Sequence, residues 1–194
     1  MRKEELDGTR VFLLREFLSN EECANLTARS EQLHYDVGTL GGTLNENYRN
    51  NDRAMIEDHD LAQKLFQRAR LALPDRIDEC TLTCFDERWR FYRYLPGHAF
   101  RAHCDGRCER LEFHQRSYLT FMIYLNDQMI GGETRFFKGT PQVAWGEAYL
   151  SVRPEPGMAL VFKHDVWHEG AMVESGQKLV LRTDVMYQLP KHSV

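Results

Sequence analysis

The sequence has few prolines, no long hydrophobic run and no strong excess of one charge. Its 194 residues include 6 prolines, and 42% are hydrophobic, which excludes collagen-like and intrinsically disordered chains. A net charge of −4 and a pI of about 6.1 argue against a bulk nucleic-acid binder, which would present a strongly basic face. Since no linker-like tract or internal repeat interrupts the chain, we expect one domain over residues 1–194.

Cysteine is also scarce, and its number is odd. The apolar core of the N-terminal segment is too short for a secretory signal or a membrane span. We therefore expect a cytoplasmic protein with reduced thiols, without a membrane partner or a nucleic-acid partner. The spacings Cys80-x3-Cys84 and Cys104-x3-Cys108 would permit a four-cysteine zinc site. Alternation of Cys80 and Cys84 onto one strand face favours buried free thiols instead.

The N-terminal part, residues 1–79, is predicted to be a helical support. A short strand over 11–17 precedes Ser19 and Glu22, whose spacing forms a capping box that begins a helix through about Leu33. A second helix is predicted over about 60–73, because apolar residues recur at helical spacing before Pro74. The Gly- and Asn-rich stretch 35–58, between the helices, is predicted to be a long loop.

From residue 80 the apolar pattern changes from helical to alternating. Helices followed by many short strands predict an α+β fold, mainly β, in which the helices pack on a β-sandwich or jelly roll that occupies 80–190. The predicted strands are 80–85, 88–94, 99–103, 117–125, 133–137, 148–152, 158–163 and 178–187.

A candidate metal site begins at the end of one of these strands. Residues two apart on a strand point to the same face, so His103 and Asp105 can grip one metal while Cys104 points away. His168, which follows an apolar run, is the best-placed third ligand. Two histidines and one carboxylate form the facial triad of non-haem Fe(II) oxygenases, which leaves coordination positions open.

The triplet His-x-Asp is weak evidence alone, so its surroundings carry the argument. Four further motifs occur in a fixed order around the three residues. They read Tyr94-x-x-Gly97-x-x-Phe100-x-x-His103-x-Asp105, then Tyr124-Leu-Asn126, then Gly131-Gly132-Glu133-Thr134-Arg135-Phe136, and finally His168-Glu-Gly170 with Lys178 ten residues after the histidine.

This series resembles the prolyl 4-hydroxylase-like branch of the Fe(II)/2-oxoglutarate-dependent dioxygenases. The resemblance is close over 94–187 and implies a double-stranded β-helix, or jelly roll, with the N-terminal helices packed on one sheet. It implies Fe(II), 2-oxoglutarate as cosubstrate and O2, with ascorbate as a reductant. The implied ligands of the iron are His103, Asp105 and His168, and the implied contacts of 2-oxoglutarate are Tyr94, Tyr124, Thr134 and Lys178.

A buried dianionic cosubstrate needs a fixed cation at its distal carboxylate, because an unpaired buried carboxylate is very costly. Lys178 and Arg182 are four residues apart on a predicted strand, so both face one side and either could reach it. Lys178 is favoured because its distance from His168 matches the family pattern. Arg182 is then a deeper anchor, a partner of Asp184 or the second candidate.

Each of these residues also has an ordinary structural interpretation. His103 and Asp105 could belong to a solvated turn, and Tyr94 and Tyr124 could be core aromatics. Thr134 could be an ordinary strand residue. His164, the competitor of His168, is predicted to lie on the surface.

The resemblance implies hydroxylation of an unactivated C–H bond in a small molecule, an amino acid or a peptidyl residue, with release of succinate and CO2. The alternative is a non-catalytic binding module with the same fold. A loop over about 38–51 could act as a lid. Arginines that could bind an acidic substrate, or simply form a charged sheet face, are Arg88, Arg90, Arg93, Arg101, Arg107, Arg110 and Arg116.

Overall fold

Antiparallel strands dominate the computed structural model, which describes residues 1–37, 48–139 and 147–190. Two α-helices, α1 (Asn20–Glu31) and α2 (His59–Ala69), lie within the first 70 residues. The strands are β1 (Arg2–Asp7), β2 (Val11–Arg15), β3 (Asp36–Val37), β4 (Asp52–Glu57), β5 (Arg76–Ile77), β6 (Cys80–Phe85), β7 (Arg88–Tyr94), β8 (Phe100–His103), β9 (Glu109–Arg110), β10 (Gln115–Tyr124), β11 (Met129–Gly131), β12 (Thr134–Phe137), β13 (Leu150–Val152), β14 (Ala159–Lys163), β15 (Trp167–Gly170), β16 (Val173–Gly176) and β17 (Lys178–Gln188).

The strands form two facing sheets, the jelly roll expected from the sequence. In the large sheet the central path runs β1-β2-β14-β10-β17-β7-β4-β3, while β5, β6 and β9 pair along its border. The small sheet has the order β13-β12-β15-β8, and β11 pairs with β16 beside it. Every pairing between these strands is antiparallel.

Strand β17 is buried on both faces, because the large sheet lies between the helices and the small sheet. Leu179 and Leu181 belong to the apolar cluster that also contains α2 residues, whereas Val180 belongs to the cluster between the sheets. Alternation therefore turns Lys178 and Arg182 to the same inner face as Val180. This alternation brings two cations of β17 into the space between the sheets.

The helices cover the outer face of the large sheet. The capping box of α1 is present, since Ser19 Oγ accepts a hydrogen bond from the Glu22 N–H and the Glu22 carboxylate accepts one from the Ser19 N–H. The side chain of Asp58 caps α2 by accepting from the Leu61 N–H at 2.9 Å. One face of α2 is buried against the sheet through Ala62, Leu65 and Ala69.

Several boundaries differ from the sequence expectation. The predicted loop 35–58 contains strands β3 and β4, and β4 pairs with β7 through six residue pairs. The charged segment of β1 was not expected to be a strand, yet it pairs with β2 at the sheet edge, where one face meets solvent. The other short strands that were not predicted are β5, β9, β11, β15 and β16. Helix α2 ends at Ala69, before the expected 73.

All five cysteines are free thiols. Cys23 and Cys80 are buried, and Cys104 contacts the Asp165 carbonyl oxygen through its Sγ at 3.4 Å. Within the described ranges, no helix is both long enough and apolar enough to cross a lipid bilayer.

Gly157, two residues before β14, hydrogen-bonds to the segment that leads into α1. Its carbonyl accepts hydrogen bonds from the N–H groups of Phe17 and Leu18, at 2.9 and 3.0 Å, and its φ is +76°. A Cβ at this position would overlap the Leu18 carbonyl oxygen. Gly8 also has a positive φ, +50°, but a Cβ there would have no atom within 4 Å.

We therefore expect Gly157→Ala to lower the free energy of unfolding by about 3 kcal/mol or more, because left-handed strain and a backbone clash add together. Gly8→Ala, the matched control, should cost only about 1 kcal/mol from strain. Urea unfolding of both variants checks this. Equal losses in the two variants would contradict the role given to the clash.

Candidate metal centre

Two histidines meet across neighbouring strands of the small sheet. His168 on β15 stands directly opposite His103 on β8 in the strand register, and their ring centroids are 4.2 Å apart. Asp105 follows β8 by two residues, and its N–H donates to the His164 carbonyl oxygen at 3.0 Å. One ligand atom from each of His103, Asp105 and His168 lies within 4.8 Å of the other two.

Both imidazoles are held in an orientation that suits metal binding. Nδ1 of His103 lies 2.7 Å from the Arg101 carbonyl oxygen, and Nδ1 of His168 lies 3.0 Å from that of Val166. Each Nδ1 is therefore the donor, which leaves the Nε2 lone pair free. Burial, with the neighbouring His168 adding to it, lowers the pKa of His103 to about 3. Burial also lowers the pKa of His168. The donor set consequently fits a divalent metal ion.

The third donor, Asp105, is held by two groups of the large sheet. Its Oδ2 lies 3.0 Å from Arg182 Nη2 and accepts a short hydrogen bond from the Thr120 hydroxyl. Its Oδ1 lies 3.8 Å from His103 Nε2. Burial alone would raise the pKa of this carboxyl, but the neighbouring charges, Arg182 foremost, and the Thr120 hydrogen bond together outweigh burial and hold the pKa well below its usual range. Asp105 is therefore a carboxylate with one oxygen already fixed.

Arg182 belongs to a buried ion network. Its Nη2 also lies 3.1 Å from Asp184 Oδ1, so Arg182 is a partner of Asp184, one of the three roles that the sequence left open. Asp184 in turn accepts from Arg90 Nη1 at 3.1 Å. His164, expected on the surface, is only 3% exposed, and its Nε2 lies 3.4 Å from Asp184 Oδ1. The surface expectation for His164 was wrong because its carbonyl contact with Asp105 draws the residue between the sheets.

A cavity of about 40 Å³ lies among these groups and contains the other cation of β17, Lys178. Lys178 is 1% exposed, and its Nζ donates to the Gly132 carbonyl oxygen at 2.6 Å. The ammonium lies 5.0 Å from the Tyr94 ring centre and 5.6 Å from that of Tyr124. Burial lowers the pKa of Lys178 to about 7. The lining residues are Tyr92, Tyr94, Phe100, His103, Asp105, Thr120, Met122, Thr134, Phe162, His168, Gly170, Lys178 and Arg182.

The remaining sequence candidates lie around the same cavity. Tyr124 is fully buried, and its hydroxyl donates to Thr134 Oγ1 at 2.7 Å. Tyr94 packs against Gly170, where a Cβ would come within 3.2 Å of the Tyr94 hydroxyl oxygen. Gly170 thus leaves room for the close approach of the tyrosine to β15. The structure brings all eight predicted site residues into one region between the sheets.

Most of the arginines proposed as substrate contacts are paired with carboxylates. Arg93 binds Asp52, Arg110 lies near Asp86, and Arg116 lies 2.8 Å from Glu109, so these three form ion pairs of the sheet face. Arg90 belongs to the network around Asp184. Arg101 is exposed. Of the proposed lid over 38–51, residues 38–47 lie outside the described residues.

The sequence analysis assigned no place in the cavity to Thr120, to Tyr92, or to the apolar wall of Phe100 and Phe162. Thr120 is on β10, opposite Asp184 in the register of β10 with β17. Tyr92 is two residues before Tyr94 on β7, so strand alternation from Tyr94 could have identified it. Thr120 carried no comparable signal, since its role depends on a long-range strand pairing.

Comparison with known proteins agrees with the geometry of the candidate metal centre. Residues 89–183 match the family described as the 2OG-Fe(II) oxygenase superfamily. No curated protein matches the chain.

Similar solved structures include a viral collagen prolyl hydroxylase from Paramecium Bursaria Chlorella virus-1 in a 2OG complex, with 19% identity over 96% of this chain and 100% of that chain, at a TM-score of 0.61. A Pseudomonas putida prolyl-4-hydroxylase has 22% identity over 90% and 91%, at 0.64. A Trichoplax adhaerens prolyl hydroxylase, in complex with a hypoxia inducible factor oxygen degradation domain peptide fragment, has 15% identity over 93% and 84%, at 0.66. At these identities the structures establish a shared fold.

The buried network predicts a large difference between two arginine substitutions. Arg182→Met leaves Asp105 and Asp184 buried without their shared partner, which should cost about 3 to 5 kcal/mol of unfolding free energy at pH 7. Arg116→Met removes a partly exposed pair with Glu109 and should cost less than about 1 kcal/mol. Urea unfolding measures both, and similar losses would contradict the network.

The dependence of the unfolding free energy on pH, measured under acidic conditions, tests the same network. Burial would raise the pKa of Asp184, but the Arg182 charge, together with the His164 and Arg90 contacts, outweighs burial and lowers the pKa from 3.8 to about 2. A lowered carboxyl pKa stabilises the fold above the unfolded pKa, so this contribution should persist above pH 3.8 and be lost as the pH falls toward 2. In Arg182→Met the loss should begin at higher pH.

Proposed function

Since the chain belongs to the 2OG-Fe(II) oxygenase superfamily, we propose that it hydroxylates an unactivated C–H bond of a small molecule, an amino acid or a peptidyl residue. In the balanced reaction, substrate, 2-oxoglutarate and O2 give hydroxylated substrate, succinate and CO2. The observation that carries the proposal is the convergence of two neutral imidazoles and one fixed carboxylate. We assign Fe(II) to His103, Asp105 and His168 on this basis.

The enzyme is a 2-oxoglutarate-dependent dioxygenase, and its cosubstrate needs a cation that is free to bind it. Arg182 already contacts Asp105 and Asp184. The Lys178 ammonium has only the Gly132 carbonyl as a hydrogen-bond acceptor within the described residues. We therefore assign the distal carboxylate of 2-oxoglutarate to Lys178, and Arg182 to positioning Asp105.

Hydroxyl groups at the same end of the cavity complete this proposed subsite. Tyr124 and Thr134 hydrogen-bond to each other, so either hydroxyl could turn to donate to a carboxylate. The Tyr94 hydroxyl stands against Gly170 and faces the cavity. Burial raises the pKa of both Tyr94 and Tyr124, so both phenols are neutral donors at pH 7.

When bound, iron and 2-oxoglutarate supply the activation of O2 that attack on an unactivated C–H bond requires. The residues of this chain position that chemistry. His103 and His168 stay neutral and keep Nε2 available, while Arg182 and Thr120 hold Asp105 Oδ2 so that the carboxylate does not rotate. Phe100, Phe162 and Met122 form an apolar wall that excludes water from the cavity.

The proposal treats residues 1–194 as one catalytic domain, with 1–79 as its support and 80–190 as the β-helix core. The evidence for a single domain is the apolar cluster that α2 shares with strands β7, β10 and β17. One similar structure contains a peptide, which keeps a peptidyl substrate within the proposal.

We expect purified protein with Fe(II) and ascorbate to form succinate from 2-oxoglutarate in air, even without a prime substrate. His103→Ala and His168→Ala should each lower this turnover at least about a hundredfold, because each removes a metal ligand. His34→Ala, at an exposed histidine, is the control and should keep wild-type turnover. Turnover that survives both ligand substitutions would contradict the assignment.

The pKa of Lys178 predicts how 2-oxoglutarate affinity depends on pH. Only the ammonium form pairs with a carboxylate, so affinity should be highest below pH 7 and fall by about tenfold per pH unit above it. Lys178→Arg should keep the affinity nearly constant from pH 6 to about pH 9, because arginine stays charged. Lys178→Met should lose affinity at every pH. Calorimetric titration under anaerobic conditions measures each case, and a flat wild-type profile would contradict the assignment.

A further inference from the structure

A buried guanidinium that pairs with no carboxylate of the described residues lies beside the metal cavity. Arg49 is 5% exposed, and its Nε donates to Asn51 Oδ1 at 2.9 Å. Its Nη2 is buried and has no hydrogen-bond partner within the part of the chain that the structure describes. An unpaired buried charge is among the most costly features a fold can contain, so the position calls for a partner.

A second arginine, Arg53, adds to the positive charge beside Arg49. Arg53 on β4 is half-buried and stands opposite Tyr92 in the strand register. Neither Arg49 nor Arg53 forms an ion pair with any described residue, whereas the other arginines near Tyr92, Arg90 and Arg182, share Asp184. Burial lowers the pKa of Arg53, and the charge of Arg49 lowers it further. Arg49 and Arg53 therefore stand together without an ion-paired carboxylate among the described residues, although the charge of Asp36, opposite Arg53 in the strand register, partly offsets that of Arg53.

Aromatic contacts place Arg49 next to the site. Its guanidinium lies 4.8 Å from the Tyr92 ring centre and 4.4 Å from that of Phe100, and both rings line the metal cavity. The neighbouring Tyr48 ring packs edge-on against His103 at 6.4 Å. Burial of the Tyr92 phenol would raise its pKa, yet the pKa is lowered by Arg182, Arg49 and Arg90. The region around Tyr92 is thus electropositive.

We propose that Arg49, with Arg53 as the second charge, binds a carboxylate of the prime substrate beside the metal cavity. The inference rests on the proposed hydroxylase function and narrows its substrate to molecules that carry an anionic group. This subsite is separate from that of 2-oxoglutarate, because Lys178 lies against Tyr94 and Tyr124, whereas Arg49 lies against Tyr92 and Phe100. The carboxylate comes either from a free acid or from an acidic side chain of a peptide.

Thermal unfolding of protein loaded with Zn(II) and 2-oxoglutarate tests the subsite without turnover, with sodium acetate as the probe. Without acetate, Arg49→Met should melt at least as high as wild type, because the substitution removes an uncompensated charge and keeps an apolar stem. Acetate at ten times its half-saturating concentration should raise the wild-type Tm by about 3 °C or more, through ligand linkage. At the same acetate concentration, the Tm of Arg49→Met should rise by no more than it does with neutral acetamide.

Arg76→Met, at an exposed arginine on β5, is the matched control and should respond to acetate like wild type. The proposal is overturned if Arg49→Met melts well below wild type without acetate, since the guanidinium is then satisfied within the fold. It is overturned as well if acetate and acetamide shift wild type equally, or if Arg49→Met keeps the acetate shift.

Turnover then identifies the source of the carboxylate. Stimulation of succinate formation is compared between an acid and its primary amide in two series. The first series contains N-acetyl amino acids and their amides. The second contains blocked peptides with an internal Asp or Asn. Acids should stimulate more than amides in one series, and Arg49→Gln should raise KM for that acid at least about tenfold with a smaller change in kcat. Equal stimulation by acids and amides overturns the inference alone. Absence of succinate from wild type in every assay overturns the proposed function instead, and leaves the zinc-loaded result to decide the anion subsite.

Discussion

The site depends on how charged groups are paired between two apolar sheets. The inner face of β17 contributes Lys178, Arg182 and Asp184, all nearly inaccessible to solvent. At that depth a charge is tolerated only beside a compensating charge or a full set of hydrogen bonds. Arg182 meets this condition by joining Asp184 to Asp105, and thereby links the large sheet to a residue of the candidate metal centre. The large sheet thus contributes to the site although both histidines belong to the small one.

The pairing of β8 with β15 supplies the other half of the arrangement. Antiparallel register places His103 and His168 side by side, and each ring is oriented by the backbone carbonyl of the residue two positions earlier in the chain. No additional side chain is needed to set the tautomer. Local strand geometry and one long-range pairing together produce a preorganised donor set, which explains how residues 65 positions apart converge.

Much of this was predictable because alternation is a local property. The pattern from residue 80 predicted β6 and β7 at their observed bounds and located most of the longer strands of the jelly roll. Alternation also placed Lys178 and Arg182 on one face. Two strands were not predicted for physical reasons. Strand β1 is charged because it is an edge strand, and β4 lies in a polar stretch whose composition is typical of a loop. His164 and Thr120 were not identified, since their roles arise from contacts between strands distant in sequence.

The continuous burial of β17 has an evolutionary consequence. Neighbouring residues of this strand serve opposite faces, so a single inserted or deleted residue would exchange the groups facing the helices with those facing the cavity. Leucines would then occupy the polar interior and cations would enter the apolar layer beneath α2. Divergence in this strand is accordingly confined to replacement at fixed length.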